Sequence, residues 1–287
     1  MSDKKTDDVT GVETTGHSWD GIQELNNPLP RWWLWTFYIT IIWGIGYTIA
    51  YPAWPLISGA TEGVLNWSTR ANVAADIEAH EGKNAELVAA LLDTELTALP
   101  DNADLNRYAI TRGGAVFRAN CSQCHGSGAA GAKGFPNLLD DDWLWGGDIE
   151  TIAYTVRHGI RNDTDPDAHW SQMPAYGDIF SDEETSQVVE YVYSLSHDDF
   201  DAGLAGAGET LYLDNCAACH GENAQGDRTQ GAPNLADAIW LYGGDRETLT
   251  ETVTNARFGI MPAWGERLSE EDVRAVSAYV HALGGGE

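Results

Sequence analysis

Two five-residue runs carry the chemistry in this chain, Cys121-Ser122-Gln123-Cys124-His125 and Cys216-Ala217-Ala218-Cys219-His220. Two thiols three residues apart reach the two vinyl-derived carbons on one edge of a porphyrin, and the adjacent imidazole then lies beneath the iron. That is the attachment signature of c-type haem, so the two runs predict two covalently bound haems c with His125 and His220 as proximal ligands. Rival uses of the spacing fit poorly. Zinc asks for four N or S ligands per site, and these four cysteines are the only ones in the chain. A thioredoxin-like pair would sit in a βαβ pattern, which the sequence lacks. No cysteine is left over for a disulfide framework.

The sixth ligands come next. Of three methionines, Met1 aside, Met173 and Met261 occupy equivalent places downstream of the two attachment runs. A thioether raises the potential relative to a second histidine and closes the iron to other ligands, which suits electron transfer; the competing reading is two core-filling methionines. The sequence leaves open whether each methionine serves the haem of its own copy, the default pairing, or reaches across to its neighbour's. His158 and His169 have no counterpart in the second copy and are read as surface groups or as neighbours of the haem. Trp143 and Trp240, and Arg157 and Arg257, either wall the haems and bond their propionates or simply pack.

These residues belong to a repeat. FRANCSQCHGSGAAGAKGFPNL around Cys121 answers YLDNCAACHGENAQGDRTQGAPNL around Cys216. Trp143 with Gly146-Gly147-Asp148 answers Trp240 with Gly243-Gly244-Asp245, and Arg157-His158-Gly159-Ile160 answers Arg257-Phe258-Gly259-Ile260. Met173-Pro174-Ala175 answers Met261-Pro262-Ala263 after twelve extra residues, Arg161 to Gln172, in the first copy. Ser181 and Ser269 each open a final amphipathic helix with a capping-box pattern. Two tandem copies of one haem domain are expected, at 108–200 and 201–287.

What positions and anchors them lies upstream. No charged residue occurs between Arg31 and Glu62. Trp32 to Tyr51, 20 residues, rises roughly 30 Å as helix, about one hydrocarbon thickness. Trp32, Trp33 and Trp35 crowd one end and Tyr47, Tyr51 and Trp54 the other, as interfacial belts do. A cleaved signal peptide or a buried soluble helix is the plainer alternative; the polar lead and the many indoles favour a retained anchor. The expected order is a cytoplasmic tail at 1–31, a transmembrane helix at 32–54, a spacer at 55–107 with a helix from Ser68 to Leu99 closed by Pro100, and then the haem copies. His80 in the spacer reads as a surface histidine. Lys4, Lys5 and Arg31 precede the span, and haem attachment is completed outside the cytoplasm, so the haem copies are expected in the periplasm of a bacterial inner membrane. The fold class is all-α.

Net charge is −28, from 44 acidic and 16 basic residues, spread over both copies. This argues against nucleic acid and for a basic partner or a saline habitat.

The stretch NNPLPRWWLWTFYITIIWGIGYTIAYPAWP, preceded by Trp19-Asp20-Gly21-Ile22, resembles the N-terminal anchor of the di-haem subunit (subunit III) of cbb3-type cytochrome c oxidases. That family's order of anchor, spacer and two c-type domains covers essentially the whole chain. The resemblance implies an electron-transfer subunit, with no catalytic residue of its own, in a proton-translocating oxidase. It would take electrons from a donor cytochrome c and pass them to the mono-haem subunit and the catalytic haem-copper subunit. An anchored di-haem carrier for a quinol-oxidising or dehydrogenase complex is the alternative. A di-haem peroxidase would need one open iron, against the two Met-Pro positions, and a haem gas sensor would need an output domain.

Overall fold

The computed structural model describes residues 5–287; Lys4 lies outside them. The chain divides into two compact units, one ending at Lys83 and the other running Asn84–Glu287.

In the first unit, β1 (Thr14–Trp19) and β2 (Ile22–Leu25) pair antiparallel around Asp20-Gly21, a turn dipeptide given no element in the sequence reading. Helix α1 is Arg31–Ala50. It ends at Ala50, short of Trp54, because Tyr51 is extended and precedes Pro52, and the residue before proline is driven out of the helical region. None of its residues is buried by protein, and its apolar length is enough to cross a bilayer. Thr36, Thr40 and Thr48 turn their hydroxyls back to the carbonyls of Trp32, Phe37 and Ile45 at 2.9, 2.7 and 2.9 Å, which spares an apolar span unpaired polar groups. Aromatic rings stack along it, Trp43 on Tyr47 at 5.4 Å and Tyr47 on Tyr51 at 4.8 Å. A second hairpin follows, β3 (Pro55–Leu56) with β4 (Gly59–Ala60). Helix α2, Thr69–Asp93, begins here, with His80 exposed.

The second unit is helical. After α2 a 3-10 turn, Leu96–Asp101, contains Pro100, so the helix expected up to Leu99 stops at Asp93. Helices α3 (Ala103–Asn120), α4 (Ser122–His125) and α5 (Ile149–His158) follow, then α6 (Asp182–Ser194). The pattern recurs as α7 (Ala202–Asn215), α8 (Ala217–His220), α9 (Arg246–Asn255) and α10 (Glu270–His281). Caps match the sequence: Asp148 and Asp245 accept from Thr151 N–H and Thr248 N–H, and Ser181 and Glu184 form a full capping box.

Packing runs across the copies. α10 packs on α3 and α5, whereas α6 packs on α7 and α9, so each copy lends its last helix to the other. The two crossings are near-replicas. A Cβ on Gly113 would come 2.0 Å from the Ala275 carbonyl oxygen, and one on Gly208 would come 2.0 Å from that of Gln187. Only glycine lets the backbones meet so closely. Phe117 lies 5.4 Å from Tyr279 at one crossing, and Tyr212 lies 5.1 Å from Tyr191 at the other. The residues ahead of α3 act as a packing arm, with Leu91, Leu96 and Leu99 buried against Ile149, Ala275 and Ala278.

Candidate functional site

Each Cys-x-x-Cys-His run is one helical turn capping the end of a longer helix. Cys121 N–H donates to Phe117 O at 2.8 Å and His125 N–H to Cys121 O at 3.0 Å. Cys216 N–H donates to Tyr212 O at 2.8 Å and His220 N–H to Cys216 O at 2.9 Å. The turn puts both thiols and the imidazole on one short edge. Cys121 and Cys216 are half-buried, while Cys124 and Cys219 are exposed. Burial, with the neighbouring thiol, pushes Cys121 and Cys216 up to about 11.

The imidazoles are oriented from behind. His125 Nδ1 lies 3.1 Å from Pro136 O, and His220 Nδ1 lies 3.0 Å from Pro233 O. A carbonyl can only accept, so Nδ1 carries the proton and Nε2 is left for a metal. Burial lowers both imidazoles below the ordinary histidine range, favouring the neutral form a ligand needs. The Pro-Asn-Leu turns thus supply the carbonyl that aims each histidine.

Met261 belongs to the second copy in sequence but packs with residues of the first. Met261 lies in the apolar cluster of Cys121, Phe117, Trp143, Trp264 and Val276. Its N–H donates to Ile160 O at 3.0 Å and its carbonyl accepts from Ile160 N–H at 2.9 Å. The Met173 segment goes the other way. Tyr176 N–H and Gly177 N–H donate to Val253 O and Thr254 O, both at 3.0 Å, and the Tyr176 hydroxyl donates to Asn215 O at 2.9 Å, next to Cys216. The two copies present the same interface to each other as to themselves, so the repeat alone leaves the partner open.

Around the cradles, Trp143 sits in the Cys121 cluster and Trp240 in the Cys216 cluster. The Trp143 indole donates to the Gly285 carbonyl. Of four side-chain donors buried without a partner among the described residues, one is Thr15 Oγ1 and three, Trp240 Nε1, Trp145 Nε1 and Arg257 Nη2, belong to the haem copies. Buried donors require acceptors, and a planar cofactor bearing carboxylates supplies them, so these residues fit a haem.

The arginines that the repeat equates are not equivalent in the fold. Gly265 N–H donates to Arg157 O at 2.9 Å where Gly177 N–H donates to Thr254 O, so Thr254 holds the place of Arg157. Arg157 pairs with Glu270 at 2.6 Å, whereas Arg257 pairs with Glu251 at 2.9 Å and lies over the Tyr242 ring. His158 pairs with Asp165 at 2.9 Å, and His169 stacks on Trp145 at 4.3 Å. Sequence reading missed Trp145 and Tyr242, which sit at corresponding places after Trp143 and Trp240. Trp145 packs on Gly231 and Tyr242 on Gly134, each ring reaching the proximal loop of the other site. A further acidic cluster flanks the first cradle. There Asp142 is pushed up to about 6 by burial and by Asp237 and Asp140.

Residues 11–58 match the family model of the N-terminal domain of cytochrome oxidase-cbb3, FixP. Residues 109–192 and 203–280 each match the model of cytochrome c oxidase, cbb3-type, subunit III. The chain is 61% identical over 290 residues to a cbb3-type cytochrome c oxidase subunit CcoP of Cereibacter sphaeroides, covering 100% of both. It is 50% identical over 289 residues to a cbb3-type subunit FixP of Rhizobium etli, again over 100% of both. A CcoP of Rhodobacter capsulatus is 50% identical over 295 residues, with 99% of each chain covered.

Proposed function

The chain belongs to the cbb3-type cytochrome c oxidase subunit III family, a cytochrome c subunit of a membrane-anchored oxidase complex, and from that premise we propose that it is the complex's electron relay. We assign two covalent haem attachments, at Cys121 and Cys124 and at Cys216 and Cys219, with His125 and His220 as proximal ligands. The methionines cross over: Met261 completes the coordination at His125, and Met173 that at His220. The observation carrying this assignment is Met261 in one cluster with Cys121.

A haem so bound supplies a reversible one-electron couple. What the residues of the chain add is closure. An imidazole aimed by a proline carbonyl on one side and a thioether on the other leave no position for oxygen, which favours relay over catalysis. Electrons come from a donor cytochrome c and leave through the mono-haem subunit towards the catalytic haem-copper subunit. Acidity over both copies suits a basic donor, and its attraction weakens with salt, since screening acts over about 10 Å at 0.1 M. Helix α1 anchors the chain in the bacterial inner membrane, with the N-terminus cytoplasmic and everything after Tyr51, the 55–107 spacer included, periplasmic. The segments 108–200 and 201–287 are the two cytochrome c copies. Trp240 and Arg257 hold propionates.

One experiment tests topology, relay and crossing together. Spheroplasts carrying the intact oxidase should oxidise cytochrome c added outside, and Met261→Ala should slow this while leaving oxidation of a membrane-permeant small reductant unchanged. In a chain reduced to the His125 haem by Cys216→Ala with Cys219→Ala, Met261→Ala should open the iron to carbon monoxide and Met173→Ala should not. Undiminished cytochrome c oxidation would remove the relay role, and the reverse carbon monoxide pattern would restore own-copy ligation.

A further inference from the structure

The Met-Pro-Ala run is repeated, but what precedes it is not. The twelve residues 161–172 occur only in the first copy, and they fold back onto the backbone of Met261. Ile160 bridges Met261 on one side and His169 on the other. Arg161 N–H donates to His169 O at 2.8 Å, and His169 N–H donates to Gly159 O at 3.1 Å.

Asn162 stands at the centre of this arrangement. It is a polar residue only 8% exposed, and every polar atom of its side chain is used. Its Nδ2 donates to His158 O at 2.9 Å and to Met261 O at 3.3 Å. Its Oδ1 accepts from Thr164 Oγ1 at 2.8 Å and from Asp165 N–H at 3.2 Å. The end of α5, the extra segment and the Met261 carbonyl are therefore tied through one amide. Gly159 makes room for the knot. It has φ +74°, and a Cβ there would come 2.4 Å from Met261 O and 2.5 Å from Asn162 Nδ2.

We propose that Asn162 is a positioning residue that fixes the Met261 thioether on the iron held by His125; this rests on the crossed assignment above. The physical reason lies in the methionine side chain. It has three rotatable bonds and a soft thioether, so a persistent iron bond depends on a fixed backbone. Asn162 and Ile160 together fix it. Asn162→Asp is nearly isosteric but sets a carboxylate oxygen against the carbonyls of His158 and Met261 in place of a donor, so the contact turns from attraction to repulsion. Asn162→Ala merely leaves both carbonyls without the donor.

The test uses the full chain in its assembled oxidase. The readouts are the thioether-to-iron charge-transfer band of the ferric protein and a redox titration. Met261→Ala defines the component belonging to that ligand, one of two. Asn162→Asp should lose the same component of the band and lower the same potential, Asn162→Ala should lose part of it, and the component that Met173→Ala removes should persist in both as an internal control for folding. If Asn162→Asp keeps both components while Met261→Ala loses one, the positioning role is wrong and the crossed ligation stands. Loss of the Met173 component instead, or loss of both components in Asn162→Asp with both kept in Asn162→Ala, overturns the proposal as well. If Met261→Ala itself loses nothing, it is the ligand assignment that fails.

Discussion

The two haem cradles share a steric frame and differ in what clamps it. At both, a glycine lets an early helix touch a late one from the other copy, Gly113 at Ala275 and Gly208 at Gln187. Ion pairs join the helices at both, Arg112 to Asp272 at the first, but at the second a charged pair also stands where the first is apolar. Glu190 on α6 takes two hydrogen bonds from Arg246 on α9, at 2.8 and 2.9 Å, and a third from Asp201 N–H at 2.7 Å. The residues in the same places at the first cradle are Ala278 and Ile149, and both are buried in an apolar cluster closed by Leu91, Leu96 and Leu99. Tyr212 ties its hydroxyl to Gly221 O at 2.7 Å where the first cradle has Phe117. Duplication kept the close-approach positions, which tolerate no substitution without backbone movement, and let the clamps diverge according to what covers each cradle.

Breaking the shared frame should have the largest effect. Gly113→Ala or Gly208→Ala puts a Cβ onto a carbonyl oxygen and should cost about 3 kcal/mol, the upper end of overpacking penalties. Each should release one cradle only, seen as loss of one of the two thioether components on heating. Equal weakening of both by either variant would mean that the cradles do not unfold as separate units. Glu190→Ala sharpens the difference. Loss of its charge-assisted bonds should destabilise the second cradle by about 2 kcal/mol. The Arg246 guanidinium holds the Glu190 carboxyl below the ordinary glutamate range. Its contribution is therefore full above the ordinary value and is lost as pH falls through the lowered one. Acid should therefore loosen the second cradle of the wild type, and this acid-dependent loss should be smaller in Glu190→Ala, as an acid titration of the second component would register. The smallest effect expected is Tyr212→Phe, about 1 kcal/mol for one hydrogen bond. Melting should show the second cradle moving towards the first, with no change in the Phe117 cluster.

Much of this was legible in residue order. Cysteine spacing marked the two short Cys-x-x-Cys-His helices, the repeat marked the two helical copies, and the charge-free aromatic run marked α1. The crossing was not legible, because Gly113 with Phe117 and Gly208 with Tyr212 present nearly the same surface, and Tyr279 and Tyr191 are equally able to cover either. Pairing Arg157 with Arg257 followed the local match of Arg-x-Gly-Ile. In the fold, Thr254 near the end of α9 takes the place of Arg157, three residues before Arg257, so backbone register and sequence similarity part by three residues. Pro100 was read as closing a helix, whereas it lies inside a 3-10 turn, a conformation too short to leave a periodic pattern.

The exchanged helices also dictate an order of assembly. Arg112 on α3 meets Asp272 on α10 across 160 residues of sequence, so the helix that covers the first Cys-x-x-Cys-His turn is synthesised long after the turn itself. Cys121 and Cys124 therefore emerge before α10, which packs on α3 and α5, has been made. The second copy arrives in the opposite situation, since α6 precedes Cys216 and Cys219 and waits for them. One cradle can close as it emerges and the other cannot, so the subunit matures from its middle outward, with the longest loop closure left to the last step.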